Sequence, residues 1–149
     1  MKDNLEAFKN YANAIYQNAM TGVQSVRDIE EKVQDESLKK EILSEATAFN
    51  KIADRVKHIA SERGVEVEEN NFFEKSRLWM SIKMATLMDD STRHIAEMML
   101  LGTVMGLLTC YKDKFDHKGV SDELDVVLAD LERLEDKNYL NLKKFLKEL

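Results

Sequence analysis

Residues 5–33 read LEAFKNYANAIYQNAMTGVQSVRDIEEKV, and this stretch decides the fold class. Apolar or small residues recur along it at alternating steps of three and four, which is the period of one face of an α-helix. The members of this face are Leu5, Phe8, Ala12, Ile15, Ala19, Gly22, Val26, Ile29 and Val33. The pattern therefore predicts a long amphipathic helix 1 that buries this face against other helices.

The next stretch repeats the pattern. Asp35 is a residue type that caps helix N-termini, and Gly64 favours the left-handed conformation that commonly ends a helix. Between them the face of helix 2 consists of Leu38, Ile42, Glu45, Phe49, Ile52, Val56 and Ile59. Glu45 is therefore an acidic residue at a position where the helix period predicts burial.

The last helix is predicted in the same way. It begins after Gly119, with Ser121 as its N-cap and acidic residues in its first turn. Its buried face is predicted to contain Leu124, Val127, Leu131, Leu134, Asn138, Leu142, Phe145 and Leu149. Asn138 is again a polar residue on an otherwise apolar face.

The region between helices 2 and 4 can be divided in two ways. Residues 72–115 contain no obvious helix breaker, but a single helix of 44 residues would be about 66 Å long and would project beyond its partners. The segment Asp89-Asp90-Ser91-Thr92 favours helix N-caps over helix interiors. We expect a break there, with a crossover helix at about 72–88 and a helix 3 from 91 to about 116, although the pattern alone leaves one helix or two open.

Composition agrees with a single all-α domain spanning residues 1–149. The chain has no proline and 34% charged residues, which suits long helices. Its net charge of −6 opposes binding to nucleic acid and to anionic membrane surfaces. The first residues resemble no signal peptide and Cys110 has no partner for an internal disulfide, so we expect a cytoplasmic protein. The apolar stretch Ile95–Tyr111 is shorter than a membrane span, and we expect it to be buried in protein.

The layout of four helices with a long connection resembles the small ferritin-like, rubrerythrin-type helical domains. The resemblance covers nearly the whole chain and is also carried by the segments Trp79-Met-Ser-Ile-Lys and Ile95-Ala-Glu-Met-Met-Leu-Leu-Gly. It implies an antiparallel four-helix bundle in which two paired helices are followed by a crossover and a second pair. The di-metal members of that group use Glu-x-x-His motifs, and this sequence contains none.

A different ligand set remains a hypothesis. We expect the face of helix 3 formed by Leu101, Val104, Leu108, Tyr111 and Phe115 to pack into the core. Continued towards the start of the helix, this face reaches Glu97, His94 and Asp90. Glu97 is expected at about the depth of Glu45 on helix 2. Glu45, His94 and Glu97, with Asn138, would suit Fe, Mn or Zn. The structural interpretation is that these residues offset the helix dipole, form ion pairs and specify register, and we prefer it.

Helix 3 also bears on assembly. Around Gly102 and Gly106 it is apolar on every side, and such a helix has to be covered on every side. The crossover helix would cover one face and a second subunit another. We therefore predict a homodimer.

The sequence favours a structural or interaction module over an enzyme, with no cofactor expected, because no phosphate-binding loop, catalytic triad or cysteine pair is present. The alternative is a metal-binding carboxylate and histidine bundle, possibly redox-active. A third hypothesis, a carrier of a hydrophobic small molecule in a methionine-lined interior, has no motif of its own.

Overall fold

The computed structural model describes residues 2–69 and 91–147. Over these ranges the chain forms four α-helices and one turn of 3-10 helix, with no strand. The helices are α1 (Lys2–Ile29), α2 (Glu36–Glu62), α3 (Thr92–Asp116) and α4 (Asp122–Lys147), and the 3-10 turn is Glu30–Lys32. The predicted all-α class and four-helix architecture are confirmed. The predicted crossover helix at about 72–88 lies outside the described residues.

The helices begin and end where the capping residues predict. The Oδ1 of Asp35 accepts a hydrogen bond from the backbone N–H three residues on (2.8 Å), and the hydroxyl oxygens of Ser91 and Ser121 do the same at 3.3 and 3.2 Å. Gly64 (φ +72°) and Gly119 (φ +78°) take the left-handed conformation just after α2 and α3. The break at Ser91 and the start of α4 were therefore readable from local sequence.

The core has two parts. The larger part joins residues 8–23 of α1 to the second half of α2, the first three turns of α4 and Cys110 of α3. The smaller part joins the end of α1 to the start of α2, the start of α3 and the end of α4. Its buried members are Val26, Ile29, Val33, Leu38, Ile42, Ile95, Met99 and Leu142. The faces predicted for α1, α2 and α4 lie largely in these clusters, although Leu5 in the first turn of α1 is exposed. Leu149, the last member of the face predicted for helix 4, lies outside the described residues.

The face predicted for helix 3 is wrong. Leu101, Leu108 and Phe115 are 48, 63 and 82% exposed. The residues of α3 that are buried instead are Ile95, Ala96, Met99, Thr103, Cys110 and Asp113. Because α3 is apolar on nearly every side, its period could not select one face.

The exposed apolar side of α3 raises the question of whether this helix could cross a membrane. Among the described helices, α3 alone is long and apolar enough to cross a membrane by length and composition, and 28% of its most apolar 18-residue window is buried. The expectation that this stretch is enclosed by protein is therefore not met by the residues that the structure describes.

Candidate ligand-binding cavity

A cavity of about 580 Å³ lies between α1 and α3, with α2 and α4 contributing to its floor. Glycines make this space, since Gly22 on α1 and Gly102 and Gly106 on α3 all line it. The ring of Phe49 packs directly against Gly22, whereas the position where Gly102 would carry a Cβ has no other atom within 4 Å. The remaining walls are mainly apolar and include three methionines of α3 at positions 98, 99 and 105.

Glu45 of α2 lines this cavity and is 3% exposed. Burial removes water from its carboxyl group and, together with a hydrogen bond to Glu41 on the preceding turn, raises the pKa of Glu45 to about 10. The negative charge of Glu135 raises this pKa further. The Oε2 atom of Glu45 has no hydrogen-bond partner. A neutral carboxyl group with unused hydrogen-bonding capacity therefore lies at the cavity wall.

Glu135 of α4 is the second buried acid, and the sequence analysis missed it. It is 3% exposed, and its carboxyl group occupies the space beside Gly106 that a Cβ would fill. Burial raises the pKa of Glu135 to about 8, although hydrogen bonds from Cys110 and Asn18 oppose that rise. The signal was present, because Leu128, Leu131, Glu135, Asn138 and Leu142 also follow steps of three and four.

Asn18 and Cys110 connect α1, α3 and α4 beside these acids. The Asn18 amide donates to the carbonyl oxygen of Gly106 (3.1 Å) and lies 3.5 Å from the Cys110 sulfur. The Cys110 thiol in turn donates to Oε2 of Glu135 over 3.5 Å. Burial raises the pKa of the Cys110 thiol, so this cysteine stays protonated and acts as a hydrogen-bond donor, not as a nucleophile.

A third buried acid lies towards the C-terminal end of α3. Asp113 lines the cavity, is 4% exposed and has an Oδ2 atom without a hydrogen-bond partner. Burial raises its pKa, and the nearby His117 opposes this rise. The ring of His117 stacks on Tyr11 at 4.7 Å between centroids, and the Tyr11 hydroxyl donates to Asp125 at 2.6 Å. These contacts hold the His117 ring beside the cavity.

The structure separates the three residues of the predicted metal set. Glu45 is buried, but Glu97 lies on the outer side of α3, where its carboxylate contacts Arg93 (3.1 Å) and His94 (3.7 Å). The side chain of Glu97 is 44% exposed, so it does not face the core. Asn138 is buried, and its Nδ2 atom has no partner. Across residues 2–69 and 91–147, no three His, Cys, Asp or Glu side chains are grouped closely enough to hold a metal ion.

The chain matches no protein-family model, and no curated protein or solved structure is significantly similar to it. The site offers an apolar space, two carboxyl groups of raised pKa at its floor and two carboxyl oxygens that no protein donor contacts. Such a site can hold an apolar molecule and orient one polar group of that molecule.

Proposed function

We propose that this protein binds a small, mainly apolar molecule in the cavity between α1 and α3. The observation that carries the proposal is the cavity itself, together with the buried Glu45, which lines it and whose Oε2 atom has no hydrogen-bond partner. Ligand pockets in proteins typically measure about 300 to 1,000 Å³ and combine apolar walls with a few polar groups. A buried carboxyl oxygen without a partner carries a desolvation cost, which a bound ligand would offset.

The connection after α2, as far as Glu69, leaves the cavity uncovered. After α2 the backbone N–H of Glu68 donates to Asn13 (2.8 Å), and the Tyr16 hydroxyl donates to Glu69 (2.6 Å). At 100° per residue, Asn13 and Tyr16 point away from most of the cavity-lining residues of α1, although Gln17 lies next to them. As far as Glu69, the connection therefore follows the other side of α1 and does not cover the cavity.

A ferritin-like, antiparallel arrangement of the helices is part of the proposal. The smaller core cluster contains the end of α1, the starts of α2 and α3 and the end of α4. This grouping supports α2 and α3 running in the same direction, with α1 and α4 running in the other. A metal-dependent activity is not proposed, because Glu97 and His94 lie away from the buried Glu45.

A probe whose fluorescence rises in apolar surroundings tests the binding function. We expect N-phenyl-1-naphthylamine to bind the wild-type protein. We expect Gly102→Leu to weaken that binding by about 10-fold or more, because the new side chain would enter open space in the cavity without a clash.

The matched controls are Gly102→Ala, which leaves most of the space open, and Leu140→Gln, which changes an exposed apolar residue of α4 that does not line the cavity. Both should bind the probe as the wild type does. Absence of probe binding, or equal binding by the wild type and Gly102→Leu, would contradict the proposed function.

We further propose that the exposed side of α3 forms a homodimer interface. Leu101, Met105, Leu108 and Phe115 are 48, 47, 63 and 82% exposed, and they follow the heptad spacing of a helix pair, with Lys112 at the intervening position. The opposite side of α3 packs against α1 and α4, which favours a narrow contact with another helix over immersion of the whole helix in lipid. A second copy supplies a matching stripe by symmetry.

A further inference from the structure

We propose that the ligand of the cavity is an apolar amine, whose ammonium group is held by the carboxylate of Glu45. This inference rests on the proposed function and names the chemical class of the ligand. Glu45 is more than nine-tenths buried, lines the cavity and has an Oε2 atom with no donor near it. An ammonium group carries three donors and no acceptor, so it supplies what that oxygen lacks.

The charges around the cavity favour a cation over a neutral or anionic group. The ionisable side chains that act on Glu45 are Glu41 on its own helix and Glu135 on α4, and both are acidic. None of the ion pairs found among the described residues involves Glu45 or Glu135. Lys112 lines the far end, but its mostly exposed ammonium group is paired with Asp116 at 3.1 Å. The site therefore contains two buried carboxyl groups, of Glu45 and Glu135, that form no ion pair with any described cationic side chain.

The walls explain the apolar part of the ligand. Phe49, Met98, Met99 and Met105 offer an aromatic ring and three thioethers around the space. Methionine side chains adapt to ligands of different outline. A compact hydrated ion such as Na⁺ would gain nothing from these walls, whereas an amine with a hydrocarbon body would bury both of its parts.

Binding of an amine should release a proton from Glu45. In the empty protein the Glu45 carboxyl group is neutral near pH 7. The amine arrives as an ammonium ion, Glu45 releases its proton to solvent, and the resulting carboxylate pairs with the ammonium group. We therefore expect about one proton to be released for each molecule of amine bound at pH 7.

The test compares 1-naphthylmethylamine with 1-naphthylmethanol, which has the same ring and no charge, by calorimetry at pH 7 in buffers of different ionisation enthalpy. We expect the wild type to prefer the amine by about 10-fold or more and to release a proton with it alone. In Glu45→Gln the preference and the proton release should disappear, while the affinity for the alcohol stays the same. Glu36→Gln, an equal change of net charge at an exposed position of the same helix, should keep both.

Equal affinity for amine and alcohol in the wild type would overturn the amine inference and leave the proposed binding function standing. A preference that survives Glu45→Gln would assign the cation to another group and would also overturn it. If neither compound binds, the proposed function fails as well.

Discussion

Replacing Glu45 by glutamine should stabilise the protein at neutral pH. The amide has the size of the carboxyl group and cannot ionise. In the folded protein the pKa of Glu45 is about 10, against 4.5 for an unperturbed glutamate. Above pH 4.5 the unfolded chain therefore releases a proton that the folded state keeps. Stability contributed by Glu45 is fully present below pH 4.5 and is lost as the pH rises towards 10.

The magnitude follows from this difference. Each pH unit between 4.5 and 7 lowers the free energy of unfolding by about 1.4 kcal/mol, or by about 3 kcal/mol over the interval. Since glutamine does not titrate, Glu45→Gln should be about as stable as the wild type at pH 4.5 and about 3 kcal/mol more stable at pH 7. Part of the pH dependence should remain in the variant, because the pKa of Glu135 is also raised, to about 8.

Urea unfolding followed by circular dichroism at pH 4.5, 6, 7 and 8 measures this difference, provided the m-value is unchanged. Glu66→Gln is the control, since Glu66 is exposed and its replacement should change stability by no more than about 0.5 kcal/mol at any of these pH values. If Glu45→Gln were less stable than the wild type at pH 7, or if the difference were independent of pH, the pKa of Glu45 would not be raised in the folded protein, and the reasoning would be refuted.

Three other outcomes are expected. Gly106→Ala should lower the free energy of unfolding by about 1 to 3 kcal/mol, because the new Cβ would collide with the carboxyl group of Glu135. Gly102→Ala should raise the free energy of unfolding by up to about 1 kcal/mol, because its Cβ meets no other atom and alanine favours the helix. Thermal unfolding of the two variants measures both effects. Cys110 should react with a thiol reagent such as Ellman's reagent only as fast as the protein unfolds, because it is buried with a raised pKa; rapid reaction in the native state would contradict its placement. Leu108→Glu should reduce the mass measured by light scattering from that of two chains to that of one. Leu140→Glu, the same substitution at an exposed position of α4, should leave the mass unchanged. A monomeric mass for the wild type would contradict the proposed homodimer.

The candidate site could be predicted only in part. Glu45 was found because an acid interrupts an otherwise apolar face, and its burial confirms that reasoning. Glu135 was missed because it lies next to the face that was chosen for helix 4 and not on it. Glu97 and His94 were placed wrongly with respect to the core, since their assignment depended on which side of α3 is buried.

The sequence by itself determined the four described helices, their caps and the buried faces of α1, α2 and α4. Those features depend on local hydrogen bonds at Asp35, Ser91 and Ser121. They also depend on the contrast between the apolar and polar sides of each helix, which is present in the sequence of that helix without its neighbours. Only the tertiary structure decided the rotation of α3, and with it the cavity. Because α3 is apolar on nearly every side, its buried face is set by the side chains that other helices bring against it, such as Asn18 and Glu135 beside Gly106, and no local pattern records that choice.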